Sequence, residues 1–470
     1  MLECWRMSPI CNSCSPNVAM WENVPYHPSM KISFPPDARA SRSVARKINE
    51  AGGEAYLIGG CVRDLCLGRA PKDYDVATSL PPEAILTIFP GANETGKSFG
   101  VMRVRSHGSE IEVATFRRDG PYSDGRRPDF VEFTSLKEDI LRRDFTVNAL
   151  AADVETGEVI DHSGGLDDLA KKIIRAVGKP EARFEEDRLR LIRAVRFAHV
   201  LGFTIEPGTW NALRALAKKI SSVAMERVAD ELTKILCCVP SGAGIRLLDE
   251  SGLLEVILPE VTRMKNVAQP EQFHPEGDVF IHTCLVMDQL KPDPSPAVAW
   301  AALLHDVGKP DTFMVTDRIR FHGHAELGAR MCRKIGRRFR LSNAVIDRMH
   351  DVILEHQKFG DIDKMRPGRL KRWAAMPHFE ELLEVHRADC AGSHADMSAY
   401  ETACAALDEI RRLAAMPAKI VNGELLIELG LEAGPSFREI IEEAYEAQLE
   451  GRINTRDDGI AWVRIRSIVP

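Results

Sequence analysis

Apolar and polar positions divide this chain into a stretch of short runs followed by a long helical remainder. From about residue 34, Ala38 to Ala51 reads as a helix, leading into an apolar strand, Ala55 to Ile58. Short strands follow at Asp75-Val76-Ala77, Gly100 to Arg105 and Glu110 to Phe116. Arg117 to Asp129 (RRDGPYSDGRRPD) is polar and glycine-rich, the composition of a mobile loop. Arg142 to Leu150 opens another element, and after His162-Ser163-Gly164-Gly165 the pattern turns helical and stays so. Strands first and helices afterwards predict an α+β protein: a small mixed sheet with helices as the head, then an all-helical body.

The same shifts give the expected division: a disordered tail over 1–33, a head over 34–160, a helical neck over 161–262, a histidine-bearing region over 263–400 and a helical module over 401–470. The tail reads either as disordered or as lying upstream of a true start at Met20 or Met30. A chain of 470 residues is long enough for several cores. No apolar run approaches the roughly 18 residues of a membrane helix, and no signal-type stretch opens the chain, so the expectation is a cytoplasmic protein with no membrane partner. Eleven scattered cysteines read as reduced and packed, and the lone Cys11-Asn12-Ser13-Cys14 has no second pair. A net charge of -7 argues against indiscriminate nucleic-acid binding. It does not exclude RNA, because Arg330 to Arg340 (RMCRKIGRRFR) and Asp363 to Arg372 are locally basic. Each reads as a solvated helix face or as a weak sign of RNA binding. The oligomeric state stays open.

Asp73 and Asp75, in Pro71-Lys72-Asp73-Tyr74-Asp75-Val76, carry the strongest chemistry. On a strand, residues two apart share a face, so both carboxylates can hold the same pair of Mg²⁺ ions. Two such ions suit in-line attack on an α-phosphate. Upstream, Gly59 and Gly60 let the backbone approach a triphosphate, and Arg63 can add a bidentate fork. Together these predict a polymerising nucleotidyltransferase. Glu112 is either a third acid on a neighbouring strand or a solvent-facing glutamate. Asp187 and Arg190, three apart and read as neighbours on one helix, suggest base selection. A carboxylate accepts from the amino group of cytosine or adenine, and the arginine donates to the adjacent ring acceptor, so CTP and ATP are admitted and UTP and GTP refused.

Four motifs stand in order: GGCVRD with DYD, RRDFTVNAL, RFEEDRLRLIRAVRF (Arg183 to Phe197) and MERVADELTKIL (Met225 to Leu236). Over residues 55 to 236 the chain resembles bacterial class II tRNA nucleotidyltransferases, the CCA-adding enzymes, and the related bacterial poly(A) polymerases. The resemblance implies a polymerase-β-like head, tRNA as partner, CTP and ATP as substrates, and Mg²⁺ on Asp73 and Asp75. It implies nucleotide contacts from Gly60, Arg63, Arg143, Asp187, Arg190, Arg193 and Arg196. Asp144 and Asn148 either bind the ribose or brace and cap the turn. The presence of the 117–130 loop implies competence to add the terminal A.

His282, the His305-Asp306 doublet, His322, His324, His356 and Asp389 form an ordered set in the helical region. This resembles a metal-dependent HD phosphohydrolase domain. The resemblance implies His282, His305, Asp306 and Asp389 as ligands of a divalent transition metal of unread identity, with His322, His324 and His356 as candidates for a second ion. The leading expectation is CCA addition to tRNA 3′ ends with an accessory hydrolase. A poly(A) polymerase or A-adding enzyme, and an HD phosphodiesterase with an RNA-binding front half, are the alternatives.

Overall fold

The computed structural model describes residues 30–122, 125, 128–270, 272, 274–412 and 416–468. Most of the expected tail, with Cys11 and Cys14, lies outside the described residues, as do Asp124, Arg126 and Arg127 of the polar loop. The chain forms two compact units. One runs through Asp187 and includes Phe203–Thr209; the other comprises Arg188–Gly202 and Trp210 onward.

The first unit is built on a six-stranded mixed sheet in the order β3-β4-β2-β1-β7-β8. Its strands are β1 (Ala55–Ile58), β2 (Val76–Thr78), β3 (Val101–Ser106), β4 (Ser109–Thr115), β7 (Leu150–Asp153) and β8 (Val159–Asp161). Within this sheet, among the described residues, β2 and β4 alone pair in parallel. The helix Arg39–Glu50 buries Ala40, Val44, Ala45 and Ile48, whose three- and four-residue spacing makes one apolar stripe. Ile58, Ala77, Phe116, Ile140, Ala149 and Ala151 form a core cluster beneath the sheet. The expected helix and first four strands are all present within a residue or two.

The polar segment departs from expectation. Arg117–Asp119 (β5) pairs antiparallel with Val131–Phe133 (β6), so the segment is the stem of a hairpin, not a loop from its first residue. Gly120 N and Asp129 N continue the ladder to Phe130 O (2.9 Å) and Pro121 O (2.8 Å). Composition marks glycine and proline as loop formers but cannot see a cross-strand partner.

The second unit is dominated by helices. Two features interrupt the uninterrupted helical pattern expected after residue 165. Ile173–Ile174 (β9) pairs in parallel with Thr204–Ile205 (β10) in the first unit, and Phe313–Val315 (β11) with Ile319–Phe321 (β12) in the second. The helix Pro296–Leu304 (PAVAWAALL) is buried on every side, from Ala297 to Leu304, and forms the centre of the histidine region. Among the described residues, no helix is long and apolar enough to cross a membrane.

Candidate functional site

Asp73 and Asp75 stand on the extended segment entering β2 and not on the strand itself, which begins at Val76. The period of two still holds. Asp73 and Asp75 are exposed while Tyr74 and Val76 are buried, so both carboxylates share a face. Tyr74 anchors the segment by donating to Asp37 Oδ1 at 2.8 Å, and Asp75 O accepts from Ile58 N at 3.1 Å. Because β2 pairs Val76 with Val113 of β4, the preceding residues, Asp75 and Glu112, fall side by side. All three acids line one cleft of about 380 Å³. Although Asp75 opens to the cleft, desolvation by the protein around its carboxyl, with Glu112 and Asp73, pushes it up to about 6, against the pull of Arg143. A carboxylate destabilised by two others is the electrostatic form of a cation site.

At the end of β1, Gly59 adopts φ 83°, ψ -132°, a region closed to residues with a Cβ, and begins the helix Gly60–Cys66. A Cβ on Gly59 would lie 2.9 Å from Arg143 Nη1. Arg143 is therefore seated against the glycine turn, and its Nη2 lies 3.2 Å from Asp139 Oδ2. Arg63 Nη2 lies 2.7 Å from Asp64 Oδ1, and its Nη1 donates to Asn148 Oδ1 at 2.6 Å. Asn148 Nδ2 in turn donates to Asp144 Oδ1 at 3.2 Å. The 3₁₀ turn Thr146–Asn148 takes no side-chain cap, so Asn148 and Asp144 brace Arg63 instead.

The hairpin stem is tied to the same motif. Asp119 Oδ1 accepts from Arg117 Nε (3.0 Å), and its Oδ2 accepts from Tyr122 Oη (2.7 Å) and Arg142 Nη1 (3.3 Å). Arg142 Nη2 donates to Asp139 Oδ1 at 2.7 Å. Burial alone would raise the Asp139 carboxyl; Arg142 and Arg143 outweigh it and hold it below the usual range.

Asp187 and Arg190 do not share a helix. The helix Pro180–Glu186 ends at Asp187, whose φ -135°, ψ 104° is extended, and the next helix, Arg190–Leu201, begins three residues on. Three successive acids, Glu185-Glu186-Asp187, oppose the negative pole of a helix C-terminus, and the helix stops there. Arg190, Arg193 and Arg196 do lie on one helix. Glu231 organises two of them: Arg196 Nε pairs with its Oε2, and Arg193 Nη1 lies 3.9 Å from its Oε1. The Arg196 guanidinium also covers the Phe197 ring at 3.8 Å.

In the histidine region, five helices deliver the ligands. His282 lies within Val279–Asp288, and His305 and Asp306 close Pro296–Leu304. His324 opens His324–Arg338, His356 closes Asn343–Glu355, and Asp389 lies in Phe379–Ala391. His305, His324 and His356 each place Nδ1 on the backbone carbonyl three residues earlier, at 2.8 Å (Ala302), 2.8 Å (Phe321) and 2.6 Å (Ile353). With Nδ1–H so engaged, Nε2 is left as the electron-pair donor. At His282 the neighbour of Nδ1 is a carboxylate, Glu276 Oε1, at 2.7 Å but without a directed hydrogen bond.

The Nε2 atoms converge on Asp306. His305 and His282 lie 3.2 and 3.8 Å from its Oδ2, and His324 and His356 lie 3.4 and 3.9 Å from its Oδ1. Asp389 Oδ1 lies 3.0 Å from His282 Nε2. His282, His305 and Asp306 form one ligand cluster, and Asp306, His324 and His356 a second. His322 is exposed and joins neither. The buried atoms His282 Nε2, His305 Nε2 and Asp306 Oδ2 form no directed hydrogen bond despite close polar neighbours. A cation shared among them accounts for that geometry, so the residues fit a divalent ion. Burial opposes a charged His282, but Asp389 and Glu276 lift it to about 9; burial drives His356 down to about 3.

Several of these residues escaped the sequence. Glu231 carried a readable sign, an acid on the buried face Val228, Ala229, Leu232, Ile235 and Leu236. Glu276 and Lys309 flank known ligand motifs, and Lys309 Nζ lies 2.7 Å from Asp306 Oδ2 and 2.5 Å from Gln269 Oε1. Asp119 gave no sign, since its role depends on a hairpin pairing, whereas Asp139 stands three and four residues before Arg142 and Arg143, a readable spacing.

Family models agree with this division of chemistry. Residues 55–175 match the Poly A polymerase head domain, 202–265 the "Probable RNA and SrmB- binding site of polymerase A", and 279–391 the HD domain. The chain is similar in structure to a Bacillus stearothermophilus CCA-adding enzyme in complex with CTP, with a TM-score of 0.70 and 28% identity over 92% of this chain and 98% of that one. It shares its fold with a Thermotoga maritima CCA-adding enzyme complexed with tRNA, with a TM-score of 0.61 and 18% identity over 93% of this chain and 98% of that one. It is 33% identical over 446 residues to the CCA-adding enzyme of Geobacillus thermodenitrificans, covering 92% of this chain and 98% of that enzyme. With an acidic cleft, a glycine turn and an arginine motif in the head, and a likeness that extends over nearly the whole of that relative, the chain belongs to the family of CCA-adding enzymes.

Proposed function

We propose that this protein adds C, C and A to tRNA 3′ ends from CTP and ATP, without a nucleic-acid template, in the cytoplasm. The primer 3′ hydroxyl attacks the α-phosphate of the bound nucleotide and pyrophosphate leaves. The observation that carries this reading is the convergence of Asp73, Asp75 and Glu112 in one cleft, with Arg143 close enough to Asp75 to act on its charge. Mg²⁺ held by Asp73 and Asp75, with Glu112 beside them, would neutralise charge at the α-phosphate and activate the hydroxyl. Arg143, seated on the Gly59 turn, and Arg63, braced by Asn148, serve the triphosphate. Gly60 opens the helix beside them. Asp187 accepts from the amino group of cytosine or adenine and Arg190 donates to the adjacent ring acceptor. Arg193 and Arg196, ordered by Glu231, complete the nucleotide contacts. The presence of the 117–130 segment supports addition of the terminal A.

The histidine cluster supports a second activity, hydrolysis of a phosphate ester. His282, His305, Asp306 and Asp389 would hold one divalent transition ion and Asp306, His324 and His356 another, supplying an activated water.

Incubation with tRNA lacking its CCA, Mg²⁺ and each labelled nucleotide tests the proposal. Growth by three residues that requires CTP and ATP, then stops, is expected, and Asp73→Ala should abolish it. Open-ended A addition on any RNA would replace CCA addition with poly(A) synthesis.

A further inference from the structure

The helix His324–Arg338 carries an unusual outer face. Arg330, Arg333, Lys334 and Arg337 stand three, four and seven residues apart, and Arg340 follows just past the helix end. All five are exposed and form one stripe. Ala325, Ala329, Cys332, Ile335 and Phe339 fill the opposite, buried face. We propose that this stripe is a ridge that grips the phosphate backbone of the tRNA. The proposal rests on the reading of tRNA as substrate.

Pairing separates these cations from an ordinary solvated surface. Arg338, on the flank, is structural: its guanidinium meets both Glu260 oxygens at 2.7 and 2.8 Å. Arg333 and Arg340 reach Asp347 and Glu226 only at 3.8 and 3.6 Å. Arg330, Lys334 and Arg337 have no ion-pair partner among the described residues. The chain as a whole is acidic, with 69 Asp and Glu against 62 Lys and Arg, so a run of five cations is a local feature. The helix dipole favours cations in the last turn, which covers Arg337 but not Arg330, Arg333 or Lys334.

Arg340 is a second, independent observation. It sits at φ 54°, the left-handed position that closes the helix, with Leu341 N donating to Gly336 O at 2.9 Å. Glycine would occupy that position at a saving of about 1 kcal/mol. The backbone thus keeps a cation, in place of glycine, at the end of the row of charge.

The form of the ridge fits backbone and not bases. Ten residues of helical rise make it about 15 Å long, enough for several phosphates. No exposed aromatic side chain interleaves the cations, so nothing on the face stacks on a base. Such a surface holds many tRNAs alike, whatever their sequence.

The test is the salt dependence of binding of tRNA lacking CCA, by wild type and by Arg330→Gln/Lys334→Gln/Arg337→Gln. Each lost phosphate contact removes about 0.7 to 0.9 from the log–log slope, so the triple variant should lose about 2 to 3. Between 50 and 200 mM salt, wild-type affinity should then fall about 20- to 40-fold more than that of the variant. Each single variant, measured alone, should lose about 0.7 to 0.9, which keeps the test open should the triple variant misfold. Wild type that extends tRNA while all slopes coincide would overturn the ridge and leave the substrate reading standing. Wild type that adds no nucleotide would instead overturn the substrate reading.

Discussion

Gly59→Ala strikes the nucleotide cleft through the backbone. At φ 83°, ψ -132° an alanine is strained, at a cost of about 1–3 kcal/mol. Its Cβ would also sit 2.9 Å from Arg143 Nη1, and real Cβ atoms do not approach so closely. Arg143 must swing away, loosening its 3.2 Å contact with Asp139. Gly60→Ala, one residue on, is the internal comparison. Its Cβ would meet the Arg63 guanidinium at 3.6 Å, an ordinary contact, at a backbone angle alanine tolerates. Hydrogen exchange resolves the two because it reports the head alone. The amides of Ala55–Ile58 and Gly60–Cys66 should lose about 5- to 150-fold of protection in Gly59→Ala, the equivalent of 1–3 kcal/mol. In Gly60→Ala they should keep theirs. KM for CTP and ATP should rise together in Gly59→Ala, because the displaced arginine serves the phosphates both share. Gly59→Ala with wild-type protection and wild-type KM would refute the reasoning.

The metal-free head should carry a pH signature. The folded Asp75 carboxyl, at about 6 against an ordinary 3.8, holds its proton more tightly than the unfolded chain does. Its contribution to stability is therefore complete below 3.8 and lost as pH rises through about 6. Glu112→Gln should shrink that loss in EDTA-treated protein, as read by denaturant titration across pH. Glu231→Gln leaves Arg196 facing a neutral amide in a buried pair and should destabilise the helical unit by about 3 kcal/mol, with a raised KM for CTP, read by unfolding and by kinetics. His356→Ala should lower bound transition metal from two ions per chain to one by elemental analysis, while His322→Ala keeps both.

The strands of the head were legible because each is bounded by turn residues and has apolar or alternating positions. The Asp73/Asp75 face was legible because a period of two survives even where the strand has not begun. The break at Asp187 was not, because a motif read at helical spacing hides a chain that turns extended in its middle. The placing of Glu112 and Asp119 depends on strand pairing, β2 with β4 far along the chain and β5 with β6 across the hairpin. Local pattern gives the residues but not their neighbours. The second ligand cluster was only half legible: His322 and His324 stand two residues apart with nothing in the local pattern to separate them, and only the start of a helix decides which turns inward.

The histidine cage has a consequence beyond chemistry. Its ligands come from five helices joined elsewhere by packing and by a few peripheral ion pairs such as Arg348–Glu381, and most of its polar atoms are buried. Each buried polar group without a directed partner costs about 1–3 kcal/mol. An ion that satisfies several at once binds the folded unit and not the unfolded chain. Its affinity is then added to the folding equilibrium, and thermal stability becomes a reading of free metal concentration. The centre that would hydrolyse phosphate esters also serves as a clasp, and its occupancy sets how long the surface borne by those helices stays folded.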